Sequence, residues 1–178
     1  GNSISAQQPS ESWNPDNGTH YMNPVLNADY SDPDVCRVGD DFYLITSTFE
    51  FFPGVPVYHS KNLVNWEHIG YCLTRDSQLH LEDARASDGI YAPTVRYHDG
   101  TFFMTTTNVS NGGHFIVHTK DICGEWSEPA YVDQGGIDPS LFWDDDGTCY
   151  FVSNGIDEND KICIFLCKTN GEMTRKMF

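Results

Sequence analysis

The chain is poor in positive charge. Lysine and arginine together number 10 against 26 acidic residues, which leaves a formal charge of −16 over 178 residues. A surface of that sign repels nucleic acid phosphates and anionic membranes, and it makes a neutral partner the easier fit. Long apolar runs are also missing. No stretch approaches the roughly 18 apolar residues of a membrane-spanning helix. Alanine, leucine and lysine are scarce, whereas phenylalanine, tyrosine, threonine and valine are frequent. That bias favours strands over helices. There is no G-x-S-x-G nucleophile elbow, no glycine-rich phosphate loop and no H-E-x-x-H zinc motif. The six cysteines lack C-x-x-C metal spacing and a dense disulfide pattern. Cys163 and Cys167 share one apolar run. If it is a strand, four residues separate them by roughly 13 Å, so they neither share a metal nor bond to each other. Buried free thiols are the expected state.

What is present is a repeating grammar. Asp32-Pro33-Asp34-Val35, Ala92-Pro93-Thr94-Val95 and Asp138-Pro139-Ser140-Leu141 each open a unit with X-Pro. Each then runs apolar, turns at Asp/Gly and resumes in aromatic and β-branched residues. The prolines lie 60 and 46 residues apart. The first unit predicts strands over 35–38, 42–48, 55–60 and 65–71. The second predicts 93–98, 101–107, 114–119 and 130–133, and the third 139–143, 148–153 and 161–168. Lys61 to Trp66 and Lys120 to Trp126 echo each other, each placing a tryptophan after a polar turn. Both rings, Trp66 and Trp126, are expected to glue units together. Asn23-Pro24-Val25-Leu26 predicts an edge strand or strap. Residues 73–90 predict a long loop with one helical turn, and 169–174 another turn.

A self-similar four-stranded unit of this size is the signature of a β-propeller blade. The fold class is therefore all-β, with a β-sandwich as the alternative. The chain holds fewer than three blades, and a partial ring leaves open sheet edges. Residues 1–20, rich in Pro, Ser, Asn and Gln, read as a flexible N-terminal arm. Asn17-Gly18-Thr19 within it fits a glycosylation acceptor. The small, polar start at Gly1–Gln8 fits the remnant of a processed signal peptide, which points to a secreted or periplasmic protein.

Residues at the start of each innermost strand converge at one mouth of a propeller channel. Asp32 and Asp138 both hold that position, directly before proline. Proline pushes its predecessor toward an extended conformation. Two carboxylates presented at equivalent places on two blades are the equipment for acid–base work on a glycosidic bond. Mere strand capping would recur in the second unit, which has Ala92 instead. Phe49, Phe51, Phe52, Tyr91 and Trp143 are expected at the same end, where aromatic rings stack on sugars. His114 and His118 are too far apart along a strand for one metal. Asp144-Asp145-Asp146-Gly147 reads as an acidic hairpin turn rather than a calcium loop.

These motifs, in this order, resemble glycoside hydrolase family 43, the five-bladed propellers that cleave xylosides and arabinosides. Asn23-Pro24-Val25-Leu26 with Ser31-Asp32-Pro33-Asp34 resembles the family's opening. Thr46 to Ser60 and Asn62-Leu63-Val64-Asn65-Trp66 resemble its β-xylosidase branch. Gly89-Ile90-Tyr91-Ala92-Pro93 and Gly136-Ile137-Asp138-Pro139-Ser140-Leu141-Phe142 match later motifs. The resemblance covers about residues 23 to 170. It implies a five-bladed propeller of which 21–178 form the N-terminal part, roughly the first two to three blades. It further implies that Asp32 is a general base, that Asp138 orients the acid and tunes its pKa, and that Phe49 and Tyr91 line the sugar subsite, with Phe51 beside them. Two departures stand out. Tyr91 stands where the family often has tryptophan, and Ile137 lies where a second aromatic is common. The family's general acid sits in a Glu-Gly-Pro motif on the next blade, and no such motif occurs here. Glu158 and Glu172 match nothing.

The implied activity is inverting hydrolysis by a β-xylosidase or α-L-arabinofuranosidase acting on xylan-type carbohydrate. The chain itself would lack the proton donor and be inactive alone. The alternatives are a carbohydrate-binding propeller without catalysis and a structural piece of a larger assembly. No cofactor is required and no metal ligands are proposed, with room for a structural calcium in a full-length protein. The expected partner is carbohydrate, with neither nucleic acid nor membrane, and the sequence does not fix an oligomeric state.

Overall fold

The computed structural model describes residues 19–168. The predicted arm up to residue 18 and the turn at 169–174 lie outside them, as does Glu172. Eleven strands and no helix occur among the described residues. Strands β1 (Asp34–Val38), β2 (Asp41–Ile45), β3 (Gly54–Ser60) and β4 (Glu67–Leu73) form an antiparallel meander. So do β5 (Thr94–His98), β6 (Thr101–Asn108), β7 (Gly113–Thr119) and β8 (Ala130–Val132). Strands β9 (Ile137–Trp143), β10 (Cys149–Ile156) and β11 (Ile162–Lys168) form a third, three-stranded sheet. Each sheet is one propeller blade, and the innermost strands β1, β5 and β9 are neighbours in space.

The same register repeats in the three blades. Val35 pairs with Leu44, Val95 with Met104 and Leu141 with Phe151. The hairpin turns use residues that tolerate a left-handed backbone. Asp99 and Gly100 both have positive φ (46° and 76°), as a two-residue hairpin loop of the favoured type requires.

Alternation along the strands sends successive side chains to opposite faces of a blade. The middle blade is packed on both faces. Phe102, Met104, Phe115 and Val117 join Ile45, Val55, Val57 and Val95 in the larger core, between the first two blades. From the other face, Ile116 and Val132 meet Leu141, Cys149 and Phe151 of the third. Trp126 is buried in the larger core, as its role as glue predicts. Trp66 is half-buried, its Nε1 donating to Leu63 O at 3.1 Å. The outward face of the third blade carries Phe142, Ile156, Ile162, Ile164 and Leu166, all exposed.

Several boundaries differ from the sequence reading. Strand β2 ends at Ile45, not at residue 48, because the chain must turn away at the positive-φ Phe49 (51°). Strand β4 begins at Glu67, since the side chain of Asn62 holds the turn by accepting from the amides of Val64 and Asn65. Asn23–Leu26 forms no strand. Val25 and Leu26 instead line a cleft against the first blade, so the strap is the correct alternative. The 73–90 segment has turns but no helical turn. Its shape is set by Gln78, whose Oε1 accepts from the amides of Thr74 and Arg75 and whose Nε2 donates to Trp126 O. Cys163 and Cys167 lie in one strand, β11, and are free, but they are half-buried rather than buried because nothing covers that edge within the described residues.

Candidate active site at the start of the inner strands

The two aspartates occupy matched positions in the first and third blades, but not in the expected conformation. Asp32 has φ 51° and Asp138 φ 54°, so both sit in the left-handed region rather than extended. Proline disfavours the right-handed helical region for the preceding residue and ordinarily pushes it to extended backbone, whereas the left-handed region held here carries strain of order 1–3 kcal/mol for a residue other than glycine. Strain held in the same place twice requires support, and each carboxylate has it. Ser47 Oγ donates to Asp32 Oδ2 at 2.9 Å. Asn154 Nδ2 donates to Asp138 Oδ2 at 2.7 Å. Both donors follow the strand that pairs with the innermost one, or belong to it. Ser47 and Thr107 lie 14 residues after the proline of their unit and Asn154 lies 15 after, the extra residue falling in the longer hairpin turn between Trp143 and Cys149. Both aspartates remain exposed.

The loop carrying Asp32 is pinned at Ser31, whose carbonyl accepts from the amide of Ser47 at 3.1 Å and shares the single hydroxyl proton of Ser47 with Asp32. The loop carrying Asp138 depends on glycine. Gly136 has φ 96°, and a Cβ there would lie 1.7 Å from Asn154 O.

Arg96 links the two sites across the middle blade. Its Nη1 donates to Asp34 Oδ2 at 2.7 Å and its Nη2 to Ser140 Oγ at 2.9 Å. Asp34 and Ser140 each lie two residues after the aspartate of their blade, so one guanidinium spans the two inner strands. Asp34 Oδ2 also accepts from Val95 N at 2.7 Å, and Thr94 Oγ1 donates to Pro139 O at 2.9 Å. Next to this clamp, burial and the Asp34 carboxylate push the Cys36 thiol up to about 12, so it stays protonated.

Phe49 and Tyr91 are brought together by backbone. Phe49 N donates to Ile90 O and Ile90 N to Phe49 O, each at 2.9 Å. Gly89 allows this approach, since a Cβ there would lie 2.3 Å from Phe49 O. The two rings meet edge to face at 6.1 Å, with a 74° angle between planes. Phe51 stands at the tip of the turn that its amide closes onto Thr48 O, 67% exposed. Trp143 is not at this end. It pairs with Cys149 at the far end of β9, and it stacks on His98 at 4.6 Å and 9°. Its position next to Phe103 as well makes it a joint between blades.

Among the described residues, no group of three or more His, Cys, Asp or Glu is placed to hold a metal ion. Asp144–Gly147 is a hairpin turn closed by Gly147 N to Asp144 O and Asp144 N to Thr148 O, both 2.9 Å. The amide of Thr148 holds Asp146 below the usual carboxylate range. His114 is buried, whereas His118 is exposed. Two open clefts, of about 670 and 730 Å³, lie elsewhere: one beside Tyr30, His59 and Trp66, the other beside Arg75, His118 and Trp126.

The sequence pointed to Asp32, Asp138, Phe49, Tyr91 and Phe51. It missed Ser47, Asn154 and Arg96. For the first two the signal existed, in the 14- or 15-residue spacing from each proline. For Arg96 it did not, because pairing across three blades leaves no local pattern.

The family model for glycosyl hydrolases family 43 matches residues 21–177. A xylosidase/arabinosidase of Butyrivibrio fibrisolvens is 56% identical over 133 residues, 73% of this chain and 26% of that protein. A non-reducing end α-L-arabinofuranosidase of Bacteroides ovatus is 50% identical over 137 residues, 75% of this chain and 26% of that protein. The crystal structure of a xylan β-1,4-xylosidase from Bacillus halodurans superposes with a TM-score of 0.80 at 39% identity. That match covers 88% of this chain and 32% of the other. The chain thus spans about a quarter of the length of the curated relatives it matches.

Proposed function

The chain belongs to family 43 of the glycosyl hydrolases, and from that premise we propose that it carries the water-activating part of an inverting site for xylosides or arabinofuranosides. Asp32 takes a proton from water as that water attacks the anomeric carbon. The bond from that carbon to the leaving oxygen breaks, and an acid protonates the oxygen. Asp138 orients that acid and keeps it protonated, and Phe49 and Tyr91 form an aromatic wall for the sugar, with Phe51 at its rim. The acid itself comes from a segment outside these residues, because no Glu-Gly-Pro occurs in the sequence. In an inverting site base and acid stand roughly 6.5–9.5 Å apart, which leaves room for the water. Water, base and acid suffice, so the reaction uses no cofactor.

The observation that carries this reading is the matched pair of strained, exposed carboxylates, each held by a donor at the same place in its repeat. Unusual backbone geometry of this kind clusters at functional sites. The relatives named xylosidase and arabinofuranosidase supply the sugar class.

The experiment is hydrolysis of nitrophenyl β-D-xyloside and nitrophenyl α-L-arabinofuranoside. It is run with the 178-residue chain alone and with the chain joined to a family segment that carries a Glu-Gly-Pro acid. Negligible turnover is expected from the first and clear turnover from the second. Asp32→Ala should lower the latter by about 10²- to 10⁴-fold, the usual worth of a general base. Wild-type turnover in that variant would remove Asp32 from the role. Clear turnover by the chain alone would overturn the division of labour. The missing acid motif also favours a second reading, a non-catalytic carbohydrate-binding propeller, which predicts sugar binding without turnover in either form.

A further inference from the structure

Thr107 stands in the middle blade where Ser47 and Asn154 stand in the other two, but its blade has Ala92 in place of an aspartate. Its hydroxyl is therefore free for another partner, and that partner is His114 Nδ1 at 2.8 Å. The other ring nitrogen, Nε2, lies 3.2 Å from Gly135 O. A carbonyl only accepts, so Nε2 carries the proton and Nδ1 accepts from Thr107. Ser153 Oγ donates to the same carbonyl at 2.9 Å and accepts in turn from Gln134 Nε2 at 2.7 Å. Thr107, His114 and Ser153 are all buried, and the imidazole meets the ring of Phe151 edge to face at 5.3 Å. Gly135 and the tightly placed Gly136 lead directly into Asp138.

We propose that His114 is a positioning residue for Asp138. It acts from the neighbouring blade, through the Gly135 carbonyl, and fixes the loop that delivers that carboxylate. Asn154 holds the carboxylate itself, while His114 and Ser153 hold the backbone before it. The two restraints come from different blades, so the aspartate is aligned only when the blades are packed. This inference rests on the assignment of Asp138 to the sugar site.

The test compares His114→Leu with His114→Gln in the 178-residue chain. Glutamine can place an N–H near the former Nε2, whereas leucine fills the space without a donor. Two readouts are taken: the titrations of the Asp138 and Asp32 carboxyls followed by carbon NMR, and binding of xylose and arabinose. With leucine, the Asp138 titration should move and that of Asp32 should not. Sugar affinity should fall about tenfold, the equivalent of one buried hydrogen bond. Glutamine should restore both. A leucine variant that melts earlier but leaves the Asp138 titration in place would make His114 merely structural and overturn the proposal. So would glutamine behaving like leucine in a folded protein. If the wild-type chain binds neither sugar, the site assignment fails, while the two titrations still decide whether His114 positions Asp138.

Discussion

Arg96→Met tests whether the clamp between the first and third blades holds the inner strands together. Methionine keeps the apolar stem but removes both donors. The bond to Asp34 Oδ2 (2.7 Å) and the bond to Ser140 Oγ (2.9 Å) are lost together. Hydrogen bonds to charged groups contribute about 1.5–3 kcal/mol each when desolvated. Here the side chains of Arg96 and Asp34 are 35% and 26% exposed, so the low end applies. Asp34 keeps the amide of Val95 as a donor, which further limits the loss. The sum is about 2–3 kcal/mol. For a chain of this size, 1 kcal/mol moves the melting temperature by about 2–4 °C, so a fall of about 5–10 °C is expected. Arg96→Lys should lose about half as much, because one ammonium can serve Asp34 or Ser140 but not both. Scanning calorimetry on the three proteins decides the matter. A methionine variant melting within about 1 °C of wild type would refute the clamp, and a lysine variant equal to wild type would show that its two-armed geometry is irrelevant.

Three further outcomes follow from the same geometry. Burial holds His114 below its ordinary 6.5, against a raising influence from Asp138, so between that lowered value and 6.5 the unfolded chain binds more protons than the folded one. Stability should therefore be complete above pH 6.5 and fall on acidification below it, and urea titrations of His114→Gln should lack that loss between pH 6.5 and 4.5, above the range where Glu128 and Asp146 protonate. Gly136→Ala places a Cβ 1.7 Å from Asn154 O and should cost several kcal/mol or prevent folding, whereas Gly39→Ala, also at positive φ but with open space, should cost about 1 kcal/mol by thermal melts. Ile116→Ala should destabilise by about 2–5 kcal/mol in chemical denaturation and Leu166→Ala by less than about 0.5, because these equivalent positions are 2% and 62% exposed.

The fold was legible because a blade is a local object. Four short strands in sequence, with Asp/Gly turns and period-two alternation, announce a meander without long-range information. The boundaries were less legible where side chains decide them. Asn62 delays β4 by capping its turn, and Phe49 ends β2 by turning into a left-handed conformation to bridge Ile90. Propensity foresees neither. Of the site, the sequence displayed Asp32 and Asp138 because each directly precedes a proline, and Phe49, Phe51 and Tyr91 because they cluster as aromatics in motifs that resemble the family's. It hid those that act at a distance. Arg96 reads as one more polar residue on a strand, and His114 reads as half of an unsuccessful metal pair. Trp143 was misplaced for a related reason: an aromatic near the end of a strand can lie at the aspartate end of the blade or at the opposite turn, and the register with Cys149 tells which.

The middle blade explains why the two acidic blades are alike. A repeat with the aspartate in all three units would set a strained carboxylate before each of the three inner strands. Ala92 removes the charge, and the hydroxyl that would have served it turns to His114. The same blade contributes Arg96, whose positive charge is directed two residues deeper, at Asp34 and Ser140, rather than at the aspartates themselves. The blade without an acid thus supplies a cationic clamp on the inner strands and a neutral prop under the Asp138 loop. Asp32 and Asp138 differ accordingly in their supports: the loop before Asp32 is held from within its own blade by Ser47, whereas the loop before Asp138 is held partly from the neighbouring one. The two aspartates thus hold matched positions on supports that come from different blades.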